Sequence, residues 1–199
     1  SGINTIQKWT FATDANGTDV GDASYSGYHA GGASATSYGY VWGGRNPYKN
    51  DISKYSFTTD GDSSDVGDLT VTRYSNPGGA SDTSYGYTAG GDHITIVIDR
   101  FPFATDTNAS DVGDLLSQTY NTGCSQSLTY GYTHGGSGGG GGDMIQKFAF
   151  AATANATDVV ITMLGLPSDV EQVYFGKTAG GGVIEAAKSG SLLIDMTTS

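Results

Sequence analysis

The same pattern of residues occurs four times along the chain. The segment Ile-x-(Lys/Arg)-(aromatic)-x-Phe begins at Ile6, Ile52, Ile98 and Ile145, at spacings of 46, 46 and 47 residues. Each copy is followed by a polar segment that contains Asp-Val, and then by a Tyr-rich segment that ends in a pair of glycines. A period in the mid-forties that is built from short strands and turns predicts a propeller-like array of sheet blades.

The alternation of residues within one copy predicts which side chains are buried. Successive side chains of a strand point to opposite faces, so Tyr55 and Phe57 share one face, and Ile52 and Lys54 share the other. We expect the aromatic face to lie in the core between neighbouring sheets, and the basic residue to pair with nearby Asp residues. The basic position recurs as Lys8, Lys54, Arg100 and Lys147.

The charge balance excludes one class of partner. The 199-residue chain has a formal net charge of −11 and only 9 Lys and Arg residues. Because phosphate binding needs a basic patch, we expect no nucleic-acid partner. No stretch approaches the ~20 apolar residues of a membrane span, and the N-terminus shows no signal-peptide pattern. Cys124 is the single cysteine, so we expect no disulfide within the chain.

A Tyr/Gly strand that ends in Gly90-Gly91, followed by an aromatic strand, a polar turn and another strand, resembles the kelch repeat. In this resemblance Tyr55 stands for the kelch Tyr and Arg73 for the kelch Arg. The sequence pattern Lys-(aromatic)-x-Phe-Ala-x-Asp-x-Asn, followed by Asp-Val-Gly-Asp-Leu, is also similar to repeats of structural and tail-fibre proteins of marine phages, especially cyanophages. The resemblance implies an all-β fold, a kelch-like β-propeller or propeller-like array of four repeats of about 46 residues.

The repeats also suggest a division of the chain. We expect one domain of four repeats over residues 1–181, and an extra strand or attachment tail over residues 182–199. The four repeats span about 3–44, 51–91, 94–136 and 144–181. Two arrangements stay open: the four repeats close into a ring of blades, or they form part of a larger assembly.

The Asp-rich turns are candidate calcium sites. Oxygen-bearing side chains occupy relative positions 1, 3, 5 and 9 of each turn, a spacing similar to the calcium loops of integrin-type propeller repeats, and calcium prefers oxygen ligands. The candidate ligands are Asp14, Asn16, Thr18 and Asp22; Asp60, Asp62, Ser64 and Asp68; and Asp106, Asn108, Ser110 and Asp114. The alternative is a turn whose Asp and Asn side chains bond their own backbone while the charges stay solvated.

The sequence shows no catalytic pattern. His29, His93 and His134 occupy different positions in their repeats and form neither a metal-ligand nor a triad pattern. Cys124 has no recognisable activating partner. We therefore expect no catalytic residues, no enzyme activity and no cofactor, with calcium as a candidate ion.

The predicted function is that of a non-enzymatic structural or adhesive module. The resemblance to phage repeats implies a virion appendage, tail-fibre or decoration protein, located on the virion or outside the cell. Its partners are then other virion proteins or copies of itself, and a host surface glycan is a further candidate. The alternative is a calcium-supported, carbohydrate-binding, lectin-like domain with Tyr48 and Trp42 at the ligand surface, where aromatic rings stack on sugars.

Overall fold

The computed structural model describes residues 3–24, 28–45, 48–75, 77–91, 95–138, 144–162 and 192–195. These residues form fifteen β-strands and no helix, so the described part contains no helix able to cross a membrane. The strands are β1 (Thr5–Lys8), β2 (Thr18–Asp22), β3 (Tyr28–Ser34), β4 (Tyr38–Arg45), β5 (Lys49–Ser56), β6 (Ser64–Arg73), β7 (Gly78–Ser81), β8 (Tyr85–Ala89), β9 (Val97–Pro102), β10 (Ser110–Asp114), β11 (Gly123–Gln126), β12 (Tyr130–His134), β13 (Ile145–Ala149), β14 (Thr157–Thr162) and β15 (Leu192–Asp195).

The strands are arranged in four sheets that follow the chain order. Sheet 1 has the order β1-β2, sheet 2 has β3-β4-β5-β6, sheet 3 runs β10-β9-β8-β7 and sheet 4 runs β11-β12-β13-β14-β15. Within each sheet, the neighbouring strands from β1 to β14 pair antiparallel. Each of the first three repeats therefore supplies strands to two consecutive sheets.

The repeats keep the same strand register in successive sheets. Tyr40 lies opposite Lys54 in sheet 2, and Tyr87 lies opposite Arg100 in sheet 3. In sheet 4 the corresponding pair is Tyr132 and Lys147. The repeated sequence therefore places chemically equivalent side chains at equivalent points of three sheets.

Two hydrophobic clusters join the sheets face to face. The first lies between sheets 2 and 3 and contains Tyr40, Trp42, Ile52, Leu69 and Phe101. The second lies between sheets 3 and 4 and contains Ala80, Tyr87, Ala89, Ile98, Val112, Leu115, Phe148, Phe150 and Ala156. Burial of apolar surface contributes about 25 cal/mol per Å², so the packing of these two clusters stabilises the contacts between the sheets.

The all-β prediction is confirmed for the described residues, but a closed ring is not observed. The described strands form four separate sheets and close into neither a barrel nor a propeller. The exposed fractions of the aromatic side chains show that the first repeat is not covered by another described sheet. Phe101 and Phe148 are 2% and 3% exposed between sheets, whereas the first-repeat residues Trp9 and Phe11 are 61% and 98% exposed because no sheet covers them in the described structure.

Candidate functional site

The parallel pair at the edge of sheet 4 differs from every other strand pair in the described residues. β14 begins as a repeat strand, since Thr157 and Asp158 pair antiparallel with β13. From Val159 onward it pairs in parallel with β15, with Val159 opposite Leu192 and Thr162 opposite Asp195. β14 thus pairs antiparallel with the repeat strand β13 and parallel with β15.

The connection between these two strands runs from residue 163 to residue 191, outside the described residues. Parallel neighbours need a crossover of a dozen or more residues, and this connection satisfies that requirement. The carboxyl ends of both strands lie at one edge of the sheet, at Thr162 and Asp195. In open sheets of parallel strands, ligands bind beyond the carboxyl ends, so this edge is the candidate functional site.

The repeat pattern did not predict the parallel pair, because the fourth repeat, about 144–181, includes β14. A signal was nevertheless present. Val159-Val160-Ile161 and Leu192-Leu193-Ile194 are continuous apolar runs, and such runs are typical of parallel strands that are covered on both faces. The repeat strands instead alternate apolar and polar residues.

The glycine-rich segment between β12 and β13 does not lie between a strand and a helix. Gly136, Gly138 and Gly141 match G-x-G-x-x-G, but this motif binds a dinucleotide only between a strand and a helix. Here the glycines follow β12 and precede β13, and these two strands pair antiparallel. No strand–glycine loop–helix unit occurs in the part of the chain that the structure describes. The described residues thus contain one parallel strand pair and no phosphate-binding loop between a strand and a helix.

The Asp-rich turns connect neighbouring sheets. The position-3 side chain accepts a hydrogen bond from the position-9 backbone amide of the preceding repeat. The bonds are Asp22 N to Asp62 Oδ1 (2.9 Å), Asp68 N to Asn108 Oδ1 (3.1 Å) and Asp114 N to Asn155 Oδ1 (3.1 Å). Thr18 and Ser110, at position 5, donate to the backbone carbonyls of Lys8 and Arg100, and Ser64 begins β6. These oxygen atoms act as structural hydrogen-bonding groups.

The position-1 carboxylates pair with basic residues of the preceding repeat. Lys8 Nζ lies 2.5 Å from Asp60 Oδ1, and Lys54 Nζ lies 2.6 Å from Asp106 Oδ1. Asp14 is exposed in the first turn. Among the described residues, no group of three or more His, Cys, Asp or Glu side chains could hold a metal ion. The predicted pairing of Lys with Asp therefore occurs between sheets, where it fixes one sheet against the next.

The two residues expected at a ligand surface lie in different environments. Tyr48 is 55% exposed, and its ring stacks on Tyr74 with 4.3 Å between centroids. Trp42 is 0% exposed, and its indole Nε1 donates to Thr88 Oγ1 at 2.9 Å. The structure thus places Trp42 in the core between sheets 2 and 3, because its large ring fills the space above Phe101.

Burial raises the pKa of the Cys124 thiol and of the Tyr87 hydroxyl. Burial raises the pKa of the Cys124 thiol to about 12, so the thiol is protonated at neutral pH and is a poor nucleophile. Burial and the Asp82 carboxylate raise the pKa of Tyr87, whose hydroxyl donates to Asp82 and to the carbonyl of Phe150. His29 and His134 are exposed, and His93 lies outside the described residues.

Comparison with known proteins identifies similarity in the C-terminal part. Residues 137–199 match a family model described as the NAD binding domain of 6-phosphogluconate dehydrogenase. The chain is also 67% identical over 42 residues to the uncharacterized oxidoreductase YkwC of Bacillus subtilis (strain 168). That similarity covers 21% of this chain and 14% of the relative, so the chain spans a small part of that protein. The family match includes β14 and β15.

These matches correct several predictions. The kelch-like and marine-phage assignment is wrong, because the similarity found is to NAD-binding dehydrogenases and indicates no kelch repeats. The structural, adhesive virion function and its lectin-like alternative are wrong for the same reason. The expectation of no enzyme activity is overturned by the oxidoreductase similarity. The expectation of no cofactor is overturned by the NAD-binding family match. Calcium binding by the Asp-rich turns is not tested by this match and stays a prediction. The location outside the cell and the absence of a nucleic-acid partner stay predictions.

Proposed function

We propose that residues 137–199 are part of the NAD(P)-binding domain of an oxidoreductase of the 6-phosphogluconate dehydrogenase type. The observation that carries this proposal is the parallel pairing of β14 with β15 inside the matched segment. Antiparallel repeats do not produce such a pair, whereas dinucleotide-binding sheets are built from parallel strands joined by crossovers. The fold and the family match thus point to the same segment.

The binding edge is proposed at the carboxyl ends of β14 and β15. Thr162 and Asp195 lie opposite each other at this edge, and dinucleotides bind outside the carboxyl ends of parallel strands. A bound nicotinamide dinucleotide supplies hydride transfer to or from a substrate. The role proposed for this chain is to form part of the supporting sheet. No described residue is assigned to the hydride-transfer step.

Dinucleotide binding by the full chain tests the proposal. Titration with NAD⁺, NADH, NADP⁺ and NADPH, followed by calorimetry and by nicotinamide fluorescence, is expected to show saturable binding of at least one of the four. Absence of binding by all four would contradict the proposed function.

A backbone variant tests whether the parallel pair carries the binding. Leu193→Pro removes a backbone donor in β15 and is expected to abolish dinucleotide binding. Ser125→Pro in β11, at the opposite edge of sheet 4, is the matched control and is expected to retain it. Far-UV circular dichroism checks that the repeats stay folded in both variants. Unchanged affinity in Leu193→Pro would count against the assignment of the edge.

We also propose that the repeat sheets form an open, propeller-like array. This proposal is supported by the packing of β3 against β7 and of β7 against β11, which brings the first strand of each complete sheet close to the first strand of the next. The strand order within sheets 2 and 3 follows the chain order, as in a propeller blade. The predicted division at residues 181 and 182 stays a proposal, and the matched segment begins earlier, at residue 137.

A further inference from the structure

Sheet 3 holds the turn that leads into β14 through both backbone groups of one residue, Asp114. The amide of Asp114, at the end of β10, donates to Asn155 Oδ1 at 3.1 Å. Its carbonyl accepts a hydrogen bond from the amide of Ala156 at 2.7 Å. Ala156 is also 3% exposed in the hydrophobic cluster between sheets 3 and 4. Two hydrogen bonds and a buried side chain therefore fix the backbone immediately before β14 begins at Thr157.

The strand that pairs with the start of β14 is also tied to sheet 3. β13 pairs with the first two residues of β14, where Gln146 lies opposite Asp158. Gln146 is 1% exposed, and its Oε1 accepts a hydrogen bond from the amide of Leu116 at 2.7 Å. Leu116 follows β10 of sheet 3 in the chain. The position of the β14 start is thus set by sheet 3 directly and through β13.

The pairing of β14 with β13 ends where the fourth repeat lacks a glycine. In the first three repeats the residue after Asp-Val is a glycine at a β-bulge, and the antiparallel ladder continues past it. The φ values of these glycines are +151° at Gly21, +147° at Gly67 and +152° at Gly113. Val160 has this position in the fourth repeat, and a β-branched residue rarely adopts a positive φ. The ladder with β13 ends at Asp158, and the residues that follow pair with β15.

We propose that sheet 3 positions the dinucleotide-binding edge through Asn155. The inference rests on the proposed function, because that edge includes Thr162 at the end of the same six-residue strand. An extended strand rises about 3.3 Å per residue, so Thr162 lies about 17 Å along β14 from Thr157. Asn155 is a positioning residue that acts through β14. Because β14 belongs to both pairings, the contact with sheet 3 and dinucleotide binding are energetically coupled, and each affects the other by the same factor.

The preceding repeat provides a matched control for this contact. Asn108 Oδ1 accepts a hydrogen bond from the amide of Asp68 at 3.1 Å, and the amide of Ala109 donates to the carbonyl of Asp68 at 2.8 Å. The strand that follows, β10, pairs with β9 and has no parallel partner among the described strands. The same contact therefore joins sheets 2 and 3 without a connection to the parallel pair.

The first test measures amide hydrogen exchange by NMR on the full chain without ligand. Asn155→Ala is expected to lower the protection of the backbone amides of residues 159–162 by about threefold to tenfold, the factor for loss of one hydrogen bond. Asn108→Ala is expected to leave these amides unchanged. Asn155→Asp keeps an acceptor oxygen, as Asp62 does at the equivalent position, and is expected to restore protection. Equal protection in Asn155→Ala and the unmodified chain would overturn the proposal.

The second test adds saturating NAD⁺, NADH, NADP⁺ or NADPH to the unmodified chain. The bound dinucleotide is expected to slow exchange of the Asp114 amide, by up to about 100-fold at a free concentration of 100 times the Kd. The Asp68 amide, which makes the same bond to Asn108, is expected to be unaffected. Binding without slower exchange at Asp114, or equal slowing at both amides, would overturn the proposal.

The two tests separate this inference from the proposed function. If none of the four dinucleotides binds, the proposed function fails, and with it the link from Asn155 to a binding edge. The ligand-free exchange of residues 159–162 still decides whether Asn155 anchors β14, because that measurement needs no dinucleotide.

Discussion

Arg73 and Asp99 form a fully buried ion pair that ties sheet 2 to sheet 3. Arg73 Nη2 lies 2.9 Å from Asp99 Oδ2, and both side chains are 0% exposed. Arg73 also donates to the carbonyls of Gly90 and Val97, while Thr70 Oγ1 donates to Asp99 Oδ1 at 2.5 Å. The arginine that the kelch resemblance singled out thus serves as an inter-sheet anchor.

Removal of one partner of this pair is expected to be costly. Asp99→Asn leaves the Arg73 guanidinium buried without its counter-charge, and we expect a loss of about 3–5 kcal/mol in the free energy of unfolding. Urea unfolding followed by tyrosine fluorescence measures this change. The control is Lys8→Met, which removes the exposed pair with Asp60; exposed pairs contribute only about 0–1 kcal/mol. Equal effects of the two substitutions would show that burial does not set the strength of the Arg73 pair.

The glycine of the Asp-Val-Gly-Asp segment is expected to be required for close approach of the next repeat. Gly67 has a φ of +147°, and a Cβ at this position would lie 2.7 Å from the Thr107 carbonyl oxygen. Gly67→Ala is therefore expected to destabilise the fold by about 1–3 kcal/mol beyond the cost of backbone strain. Gly61→Ala is the matched control, because Gly61 has a φ of +156° but no atom within 4 Å of the added Cβ. Comparable unfolding free energies for the two variants would contradict the steric explanation.

Equivalent aromatic residues are expected to differ sharply in their contribution to stability. Phe150 is 5% exposed and packs on Tyr87, whereas Phe11, at the same repeat position, is 98% exposed. Phe150→Ala is expected to cost about 3–5 kcal/mol, and Phe11→Ala about 0.5 kcal/mol or less. Both values come from denaturant unfolding at a protein concentration low enough to avoid association. A large loss in Phe11→Ala under those conditions would mean that its ring is covered within the monomer.

The burial of Cys124 is expected to appear in the pH dependence of stability and reactivity. Burial raises the pKa of this thiol from 9.0 to about 12 in the folded chain. The folded state therefore favours the protonated thiol, so its contribution to stability is complete below pH 9 and is lost as the pH rises toward 12. Cys124→Ser is expected to flatten the fall of the urea midpoint above pH 9. Reaction of the thiol with a disulfide reagent at pH 8 is expected to be slow when folded and fast in urea; equal rates would contradict the burial.

Part of the fold follows from the repeat pattern alone. Strands β1, β5, β9 and β13 overlap the four copies of the Ile-x-(Lys/Arg)-(aromatic)-x-Phe segment. Alternation also places Phe101 and Phe148 in the core, as expected for aromatic residues on one face of a strand. The same reasoning fails for Phe57 and Phe11, which are 48% and 98% exposed. A periodic pattern says which face of a strand is apolar but does not say whether a sheet covers that face.

The repeat pattern alone could not predict most of the candidate site. The Asp-rich turns have oxygen atoms at a calcium-like spacing, but Asp62 and Asn108 use theirs to accept backbone amides of the preceding repeat. Those bonds join residues far apart in the chain, and no local spacing specifies them. The apolar runs of β14 and β15 are typical of parallel strands. The repeat pattern did not predict this pairing, because Asp158 lies in the fourth copy of the repeat.

The sequence by itself determined the all-β character of the repeats, the positions of their aromatic strands and the acidic surface, since these depend on local alternation, turn residues and composition. Only the tertiary structure decided that Trp42 is buried, that the Asp-rich turns join neighbouring sheets, and that β14 changes from an antiparallel to a parallel partner. These outcomes depend on which distant segments meet. The free energy of such contacts comes from shared burial and from hydrogen bonds between sheets, and neither is encoded in one segment alone.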